Sequence, residues 1–272
     1  MKGWCLFFSE GFTEKEVTCK HHRGDYMKPN KKASEMTTAE LAGYIDQSVL
    51  KPEFTVEEIK KYIQEGIDYG CRTVCINPSA LSIAKEMTRG TVTEICVVCD
   101  FPFGQSTTSS KVAQADIICK QGDVYELDIV SNYGWIRSGM WAEVTADIKA
   151  VVDACHHYGT AVKVILETDA LSIEEVIKGT ECVIAAGADF VKTSTGFFIG
   201  GKNIGASREL ISTILETTKG RCKIKGAGGI RDQKHFFDLI DMGIDRMGVG
   251  YKSTPVVLGK AADAKETAAP GY

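Results

Sequence analysis

No long basic run occurs outside the N-terminal segment, and the formal net charge is only −4, with a pI of about 5.8. That balance lacks the electrostatic footprint of a nucleic-acid binder or of a protein lying on anionic lipid. Long apolar runs are missing as well. The opening residues, Met1-Lys-Gly-Trp-Cys-Leu-Phe-Phe, hold an apolar stretch too short for a signal peptide or a membrane helix, and charges interrupt it at once. Metal-ligand spacing is absent too: His156-His157 and His21-His22 have no second cluster to complete a zinc site. No G-x-G-x-x-G follows the first expected strand, so the usual dinucleotide fingerprint is lacking. The expectations are therefore no metal, no cofactor, no nucleic acid and no membrane.

What is present begins with ten cysteines, which without a secretory signal point to a reducing, cytoplasmic setting. Most lie inside apolar patterns, as in Glu94-Ile-Cys96-Val-Val-Cys99. Cys96 and Cys99 have C-x-x-C spacing, but a strand turns them to opposite faces, so they read as core thiols. The apolar content of 44% and charged content of 25% are those of an ordinary globular protein. A length of 272 residues is long for one common domain and normal for one α/β barrel.

Residues 1–35 read as an appendage, with a polar, basic middle (Cys19-Lys-His-His-Arg-Gly-Asp) and no periodicity. They are expected to be disordered, or to reflect an upstream start codon, since Met27 and Met36 lie close to the first regular pattern. From there to residue 262 the pattern alternates. Strands are expected around Tyr44–Asp46, Thr73–Ile76, Thr93–Cys99, Val124–Val130, Ala161–Glu167, Asp189–Thr193, Cys222–Lys225 and Arg246–Gly250. Helices are expected at about 56–69, up to Met87, and at about 108–121, 140–158, 172–186, 206–219, 232–242 and 253–262. Gly70, Gly122, Gly159, Gly187, Gly220 and Gly243 each stop one. Strict alternation implies a parallel sheet, and eight units close into a single (β/α)8 barrel, a TIM barrel. An open doubly wound sheet is the alternative. Residues 263–272 form an Ala/Pro/Gly-rich, flexible tail ending at Tyr272.

In such barrels chemistry collects at the C-terminal strand ends. Those ends read Asp46, Asn77, Asp100, Asp128, Glu167, Lys192, Lys225 and Gly250. Lys192 shares a strand face with Phe190, and a lysine there loses hydration, which favours the neutral, nucleophilic amine. Lys225 belongs on the neighbouring strand, roughly 4.8 Å away. Two ammonium groups that close repel, which favours one neutral amine, as Schiff-base enzymes require. The plainer alternative is that carboxylates from adjacent strands neutralise both. Glu126 and Asp128 share a face, as do Lys163, Ile165 and Glu167. Glu126 and Lys163 are expected to pair deep in the barrel, leaving Asp128 nearer the mouth to move protons. Gly228, Gly229, Gly248 and Gly250 follow or belong to the last two strands, where barrels often bind phosphate; Thr193 and Gly196 could add donors.

From about Tyr44 to Leu258 the chain resembles the deoxyribose-phosphate aldolase family. The motifs are Ile45-Asp46-Gln-Ser-Val-Leu-Lys51-Pro, Cys75-Ile-Asn-Pro, Phe101-Pro-Phe-Gly104, Glu126-Leu-Asp128-Ile-Val, Lys163-Val-Ile-Leu-Glu-Thr, Gly187-Ala-Asp-Phe-Val-Lys-Thr-Ser-Thr-Gly-Phe and Lys225-Gly-Ala-Gly-Gly-Ile-Arg231. The resemblance implies a class I aldolase that cleaves 2-deoxy-D-ribose 5-phosphate reversibly to glyceraldehyde 3-phosphate and acetaldehyde. It implies that Lys192 forms the Schiff base, that Lys225 depresses the Lys192 pKa, and that Asp128 relays protons with a water. Lys163 and Asp46 become supporting residues, no metal is needed, and a homo-oligomer, a dimer, is expected. Two positions depart from the family pattern. Gln47 stands where His is usual, and Gly248-Val-Gly250-Tyr251 replaces a Gly-x-Ser-Ser run that helps to hold phosphate. A non-phosphorylated or different acceptor is therefore an alternative, as is a non-catalytic phosphosugar-binding barrel. Tyr272, on its mobile tail, is a further candidate for assisting proton transfer at the mouth.

Overall fold

The computed structural model describes residues 28–201 and 205–260. In chain order it runs α1 (Thr38–Ala42), β1 (Ile45–Val49), α2 (Val56–Tyr69), β2 (Thr73–Ile76), α3 (Leu81–Thr88), β3 (Glu94–Cys99), α4 (Thr108–Lys120) and β4 (Glu126–Val130). It continues with α5 (Tyr133–Arg137), α6 (Trp141–His156), β5 (Ala161–Ile165), α7 (Ile173–Ala185), β6 (Phe190–Lys192), α8 (Arg208–Thr218), β7 (Lys223–Ala227), α9 (Gln233–Met242), β8 (Arg246–Gly250) and α10 (Thr254–Val257). All eight strands pair in parallel in sequence order, and β8 closes on β1. This is the expected (β/α)8 barrel.

Local signals set the boundaries. Thr55 with Glu58 and Ser172 with Glu175 form reciprocal capping boxes that satisfy the first amides of α2 and α7. The six glycines read as helix stops all have positive φ, reaching 102° at Gly243, a conformation that costs glycine little.

The two strand faces do different work. Outward residues such as Ile45, Val74, Val97, Leu127, Val164, Val191, Ile224 and Val249 join one apolar core with the helices. The inward face carries the charges, together with a small apolar wall of Leu50, Cys75, Cys96 and Val98 under Phe101 and Phe197. Cys96 faces in while Cys99 joins the outer core, as the strand period requires.

Two boundary expectations need correction. β1 extends to Val49, so Asp46 is its second residue and lies inside the barrel rather than at its mouth. The polar pair Gln47-Ser48 hid this. Gln47 points outward and its amide donates to the Tyr62 carbonyl of α2 at 2.6 Å, which lets a polar residue sit in a buried strand. The closing helix is one short turn, α10, because its run stops at Leu258 and Gly259 takes a positive φ. At the other end, residues near the expected start of the barrel are docked: Ala33 is buried, its amide donates to Asp241 at 2.9 Å, and Lys28 pairs with Asp245 at 2.6 Å. Tyr272 and residues 1–27 lie outside the described residues.

Candidate active site

Alternation along each strand sends every second side chain into the barrel, and strand pairing then fixes who meets whom. Lys163 is level with Asp128 and Phe190, Lys192 with Ile165 and Lys225, and Lys225 with Arg246. The result is two tiers of charge.

The lower tier is built on Arg246. Its guanidinium donates to Asp46 Oδ1 at 2.7 Å and to Glu126 Oε2 at 2.9 Å. Lys163 forms an ion pair with Glu126, as the strand faces predicted, and lies 3.4 Å from Asp46 Oδ2. Below them the Phe190 ring is faced by Lys163 and Arg246, each about 5.6 Å from its centroid.

The upper tier centres on Asp128, which is fully buried. Its Oδ2 accepts from Lys192 at 2.8 Å and from Lys225 at 2.7 Å, while Oδ1 accepts from Lys163 at 3.1 Å. Lys225 also meets Asp46 Oδ2 at 2.6 Å, which ties the tiers together. Burial alone would raise the Asp128 pKa, but Lys163, Lys192 and Lys225 outweigh it and hold the carboxyl well below its ordinary range. Burial likewise disfavours the Lys225 ammonium, yet Asp128 and Asp46 push its pKa well above the usual lysine value. Burial also opposes ionisation of Asp46, and Arg246, Lys163 and Lys225 reverse that.

The simple repulsion argument for the lysine pair is thus incomplete. Lys192 and Lys225 are register partners, but one carboxylate oxygen accepts from both and screens one from the other. The charges balance: Lys163, Lys192, Lys225 and Arg246 stand against Asp46, Glu126, Asp128 and Glu167, the last of which also acts on Lys192. Arginine keeps its proton, so among these cations burial can neutralise only a lysine.

The expected phosphate donors divide into two groups. Gly196, Gly228, Gly229 and Gly250 lie at the rim, with Gly229 exposed. Gly248 does not: a Cβ there would stand 3.4 Å from Lys225 Cε and 3.2 Å from Ala227 Cβ, so this glycine makes room for the lysine stem inside the barrel. Thr193 is also diverted. Its hydroxyl donates to the Ala227 carbonyl and accepts from the Ala227 amide, both at 2.9 Å, clipping β6 to β7. Tyr251 swings outward onto Tyr62 and Phe54, with ring centroids 3.9 and 5.4 Å away, which leaves Gly250 to offer backbone at the rim.

Three groups emerge that the sequence reading left without a role. Glu167 accepts from the Thr195 amide at 3.0 Å and from its hydroxyl, clamping the loop that follows Lys192. It does so from a left-handed backbone, φ 58°, which costs a non-glycine residue energy, and burial raises its pKa. Its place at a strand end beside the Thr-Ser-Thr run was the available signal. Arg246 is the second, legible only as an arginine two residues before Gly248 in a buried strand. The third is Cys75, whose thiol lies 3.8 Å from Asp128 beside Cys96 at 3.1 Å.

Among the described residues no helix is long and apolar enough to cross a membrane. The model of the DeoC/LacD aldolase family matches residues 40–260. A deoxyribose-phosphate aldolase of Desulfitobacterium hafniense is 39% identical over 213 residues, covering 78% of this chain and 95% of that one. Among solved structures, the aldolase QR15 superposes with a TM-score of 0.74 at 33% identity, over 81% of this chain and 95% of that chain. The deoxyribose phosphate aldolase of Aeropyrum pernix, described as a tetramer, gives 0.73 at 27% identity over 82% and 91%. A barrel whose mouth gathers lysines around one buried carboxylate, matched over nearly its whole length, belongs to the DeoC/LacD family of aldolases.

Proposed function

We propose that this aldolase cleaves 2-deoxy-D-ribose 5-phosphate reversibly through a Schiff base on Lys192. The observation that carries the proposal is the buried contact of Lys192 with Asp128 at 2.8 Å, with Lys225 on the same carboxylate oxygen at 2.7 Å. As the neutral amine, Lys192 attacks the C1 aldehyde of the open sugar, and loss of water gives an iminium. Removal of the C3 hydroxyl proton, by Asp128 directly or through water, then breaks the C2–C3 bond. The iminium takes up the bonding electrons as an enamine while glyceraldehyde 3-phosphate departs. Protonation of the enamine at C2 and hydrolysis release acetaldehyde and regenerate the amine. Lys225, held charged by Asp128 and Asp46, keeps positive potential beside Lys192; Lys163 bonds Asp128 directly, and Asp46 supports it only through Lys163 and Lys225. The phosphate meets the rim backbone of Gly196, Gly228, Gly229 and Gly250.

The named activities of the relatives support this substrate. So does the likeness of the 187–197 run to the family's lysine motif. One observation favours a second acceptor class. With Tyr251 turned outward, the rim beside Gly250 offers backbone where serine hydroxyls are usual, and Phe103, Phe198 and Ile199 stand exposed on neighbouring loops. A less phosphate-dependent aldolase would suit that rim. Ten cysteines, with all eight among the described residues buried as free thiols, favour a reducing cytoplasmic setting, and the proposed reaction is a step of sugar breakdown. A homo-oligomer, a dimer in the first instance, is the assembly we infer. The barrel of residues 36–262 would act between an N-terminal extension and a C-terminal tail.

Borohydride reduction in the presence of acetaldehyde, followed by peptide mapping, tests the mechanism. A two-carbon adduct on Lys192 is expected, and Lys192→Met should lose it together with about 10³-fold or more of the cleavage rate. No adduct at Lys192 would sink the mechanism. Cleavage of deoxyribose with and without its 5-phosphate, measured alongside, decides between the two acceptor classes.

A further inference from the structure

Cys75 on β2 and Cys96 on β3 are direct register partners, and both face into the barrel. Neither takes part in the chemistry above. Cys96 Sγ lies 3.1 Å from Asp128 Oδ1 and Cys75 Sγ 3.8 Å from Oδ2, and one donor atom from each of the three residues falls within 4.8 Å of the others. A tetrahedral zinc-type ion sits about 2.3 Å from thiolate sulfur and about 2.0–2.2 Å from carboxylate oxygen, so its donors lie about 3.5–3.8 Å apart. These three residues already stand near that spacing.

Among the described residues only two groups of three such donors come this close, and both contain Cys96. The other, Asp46 with Cys96 and Glu126, has its two carboxylates bonded to Arg246, a cation that cannot lose its proton to make way. The Cys75 group is bonded to lysines, which can. Two thiolates with one carboxylate select soft or borderline ions such as Zn²⁺ and Cd²⁺ over Mg²⁺ or Ca²⁺.

We propose that Cys75, Cys96 and Asp128 form an inhibitory site for a thiophilic divalent ion of the zinc and cadmium class. Binding exchanges two thiol protons, released to solvent, for one M²⁺, so the charge of the buried site is unchanged and the lysines around it do not forbid the exchange. Lys163, 3.4 Å from Cys96 Sγ, is placed to steady the thiolate. Once bound, the ion takes Asp128 away from Lys192 and Lys225. The inhibition, though not the binding, rests on the Lys192 mechanism.

The full chain, kept reduced by a phosphine in chelator-free buffer, is titrated with CdCl₂ while thiolate-to-cadmium charge-transfer absorption is recorded. The band expected of this site is lost in Cys75→Ala and in Cys96→Ala and kept in Cys119→Ala, which opens the thiol pair between α4 and α6 where Cys119 and Cys155 lie 3.9 Å apart. Cys96→Val, close in volume, replaces the alanine variant if that one fails to fold. Each protein's cleavage rate is compared with its own metal-free rate. The parent chain should lose about 10²-fold or more, the usual cost of a lost acid–base group, and the Cys96 variant should not. A band unchanged by either Cys75 or Cys96 substitution, or no band, overturns the site. A band that behaves as expected in a chain with no Lys192 adduct would keep the site and discard only the inhibition.

Discussion

Asp46 on β1 and Asp128 on β4 are both fully buried carboxylates facing the same barrel interior; they share Lys163 and Lys225, yet only Asp46 is also held by an arginine. Asp46 is gripped first by Arg246, whose guanidinium also holds Glu126. Asp128 is gripped by Lys163, Lys192 and Lys225. Arginine stays protonated in proteins, whereas a buried lysine can give its proton up. The lower tier is therefore a fixed ion network, and the upper tier is one in which a proton can move. A barrel can place both within one interior because the strand period delivers a side chain every second residue.

Asp128→Asn strikes the upper tier and should have the largest effect. The amide cannot accept the substrate proton, and the cleavage rate should fall by about 10²–10⁴-fold, read under steady-state conditions with the iminium trap run in parallel. If the rate holds within a few-fold, Asp128 is no more than a counter-ion and the contrast with Asp46 fails.

Arg246→Met strikes the lower tier instead. It leaves Asp46 and Glu126 short of a cation in a dry site, and breaking a buried pair costs about 3–5 kcal/mol. Denaturant unfolding should show that loss, while the rate per folded molecule changes far less than in Asp128→Asn. A large rate loss with unchanged stability would mean that the tiers are not separate in function.

A smaller effect is expected outside both tiers. Burial first, then Tyr62, Glu58 and Glu53, push the Tyr251 phenol up to about 12 from 10.0. A folded pKa above the unfolded one contributes stability that is complete below the unfolded value and is lost as pH rises through the folded one. Stability should therefore decline between about pH 10 and 12, and Tyr251→Phe should flatten part of that slope in denaturant titrations. An unchanged slope would show that the ring is not held against Tyr62 and Phe54 in solution.

Much of the site was legible before the fold. Strand period put Lys192 on a face with Phe190, Glu126 with Asp128, and Lys163 in a deep pair with Glu126; that pair forms, and Lys163 is also level with Asp128 and bonded to it. The rim glycines were read from their place after the late strands. Gly248 and Thr193 were misplaced because composition cannot tell a glycine that binds a ligand from one that clears space for Lys225. Nor can it tell a threonine aimed at solvent from one bonded to the next strand. Asp46 was set at a strand end because the strand was read only around Tyr44–Asp46; β1 continues to Val49, and the Tyr62 carbonyl supplies Gln47 with a buried acceptor.

Local pattern was enough for the alternation of strand and helix, the glycine stops, the inward period of the charged residues and the likeness to a lysine aldolase. Those depend on neighbours within a few residues, or on motifs written in one stretch. It took the folded barrel to show that one carboxylate serves three lysines, that Arg246 locks the tier beneath, and that Cys75 and Cys96 meet beside Asp128. These contacts join residues up to 200 positions apart. They follow from the closure and register of the barrel, which no local pattern specifies.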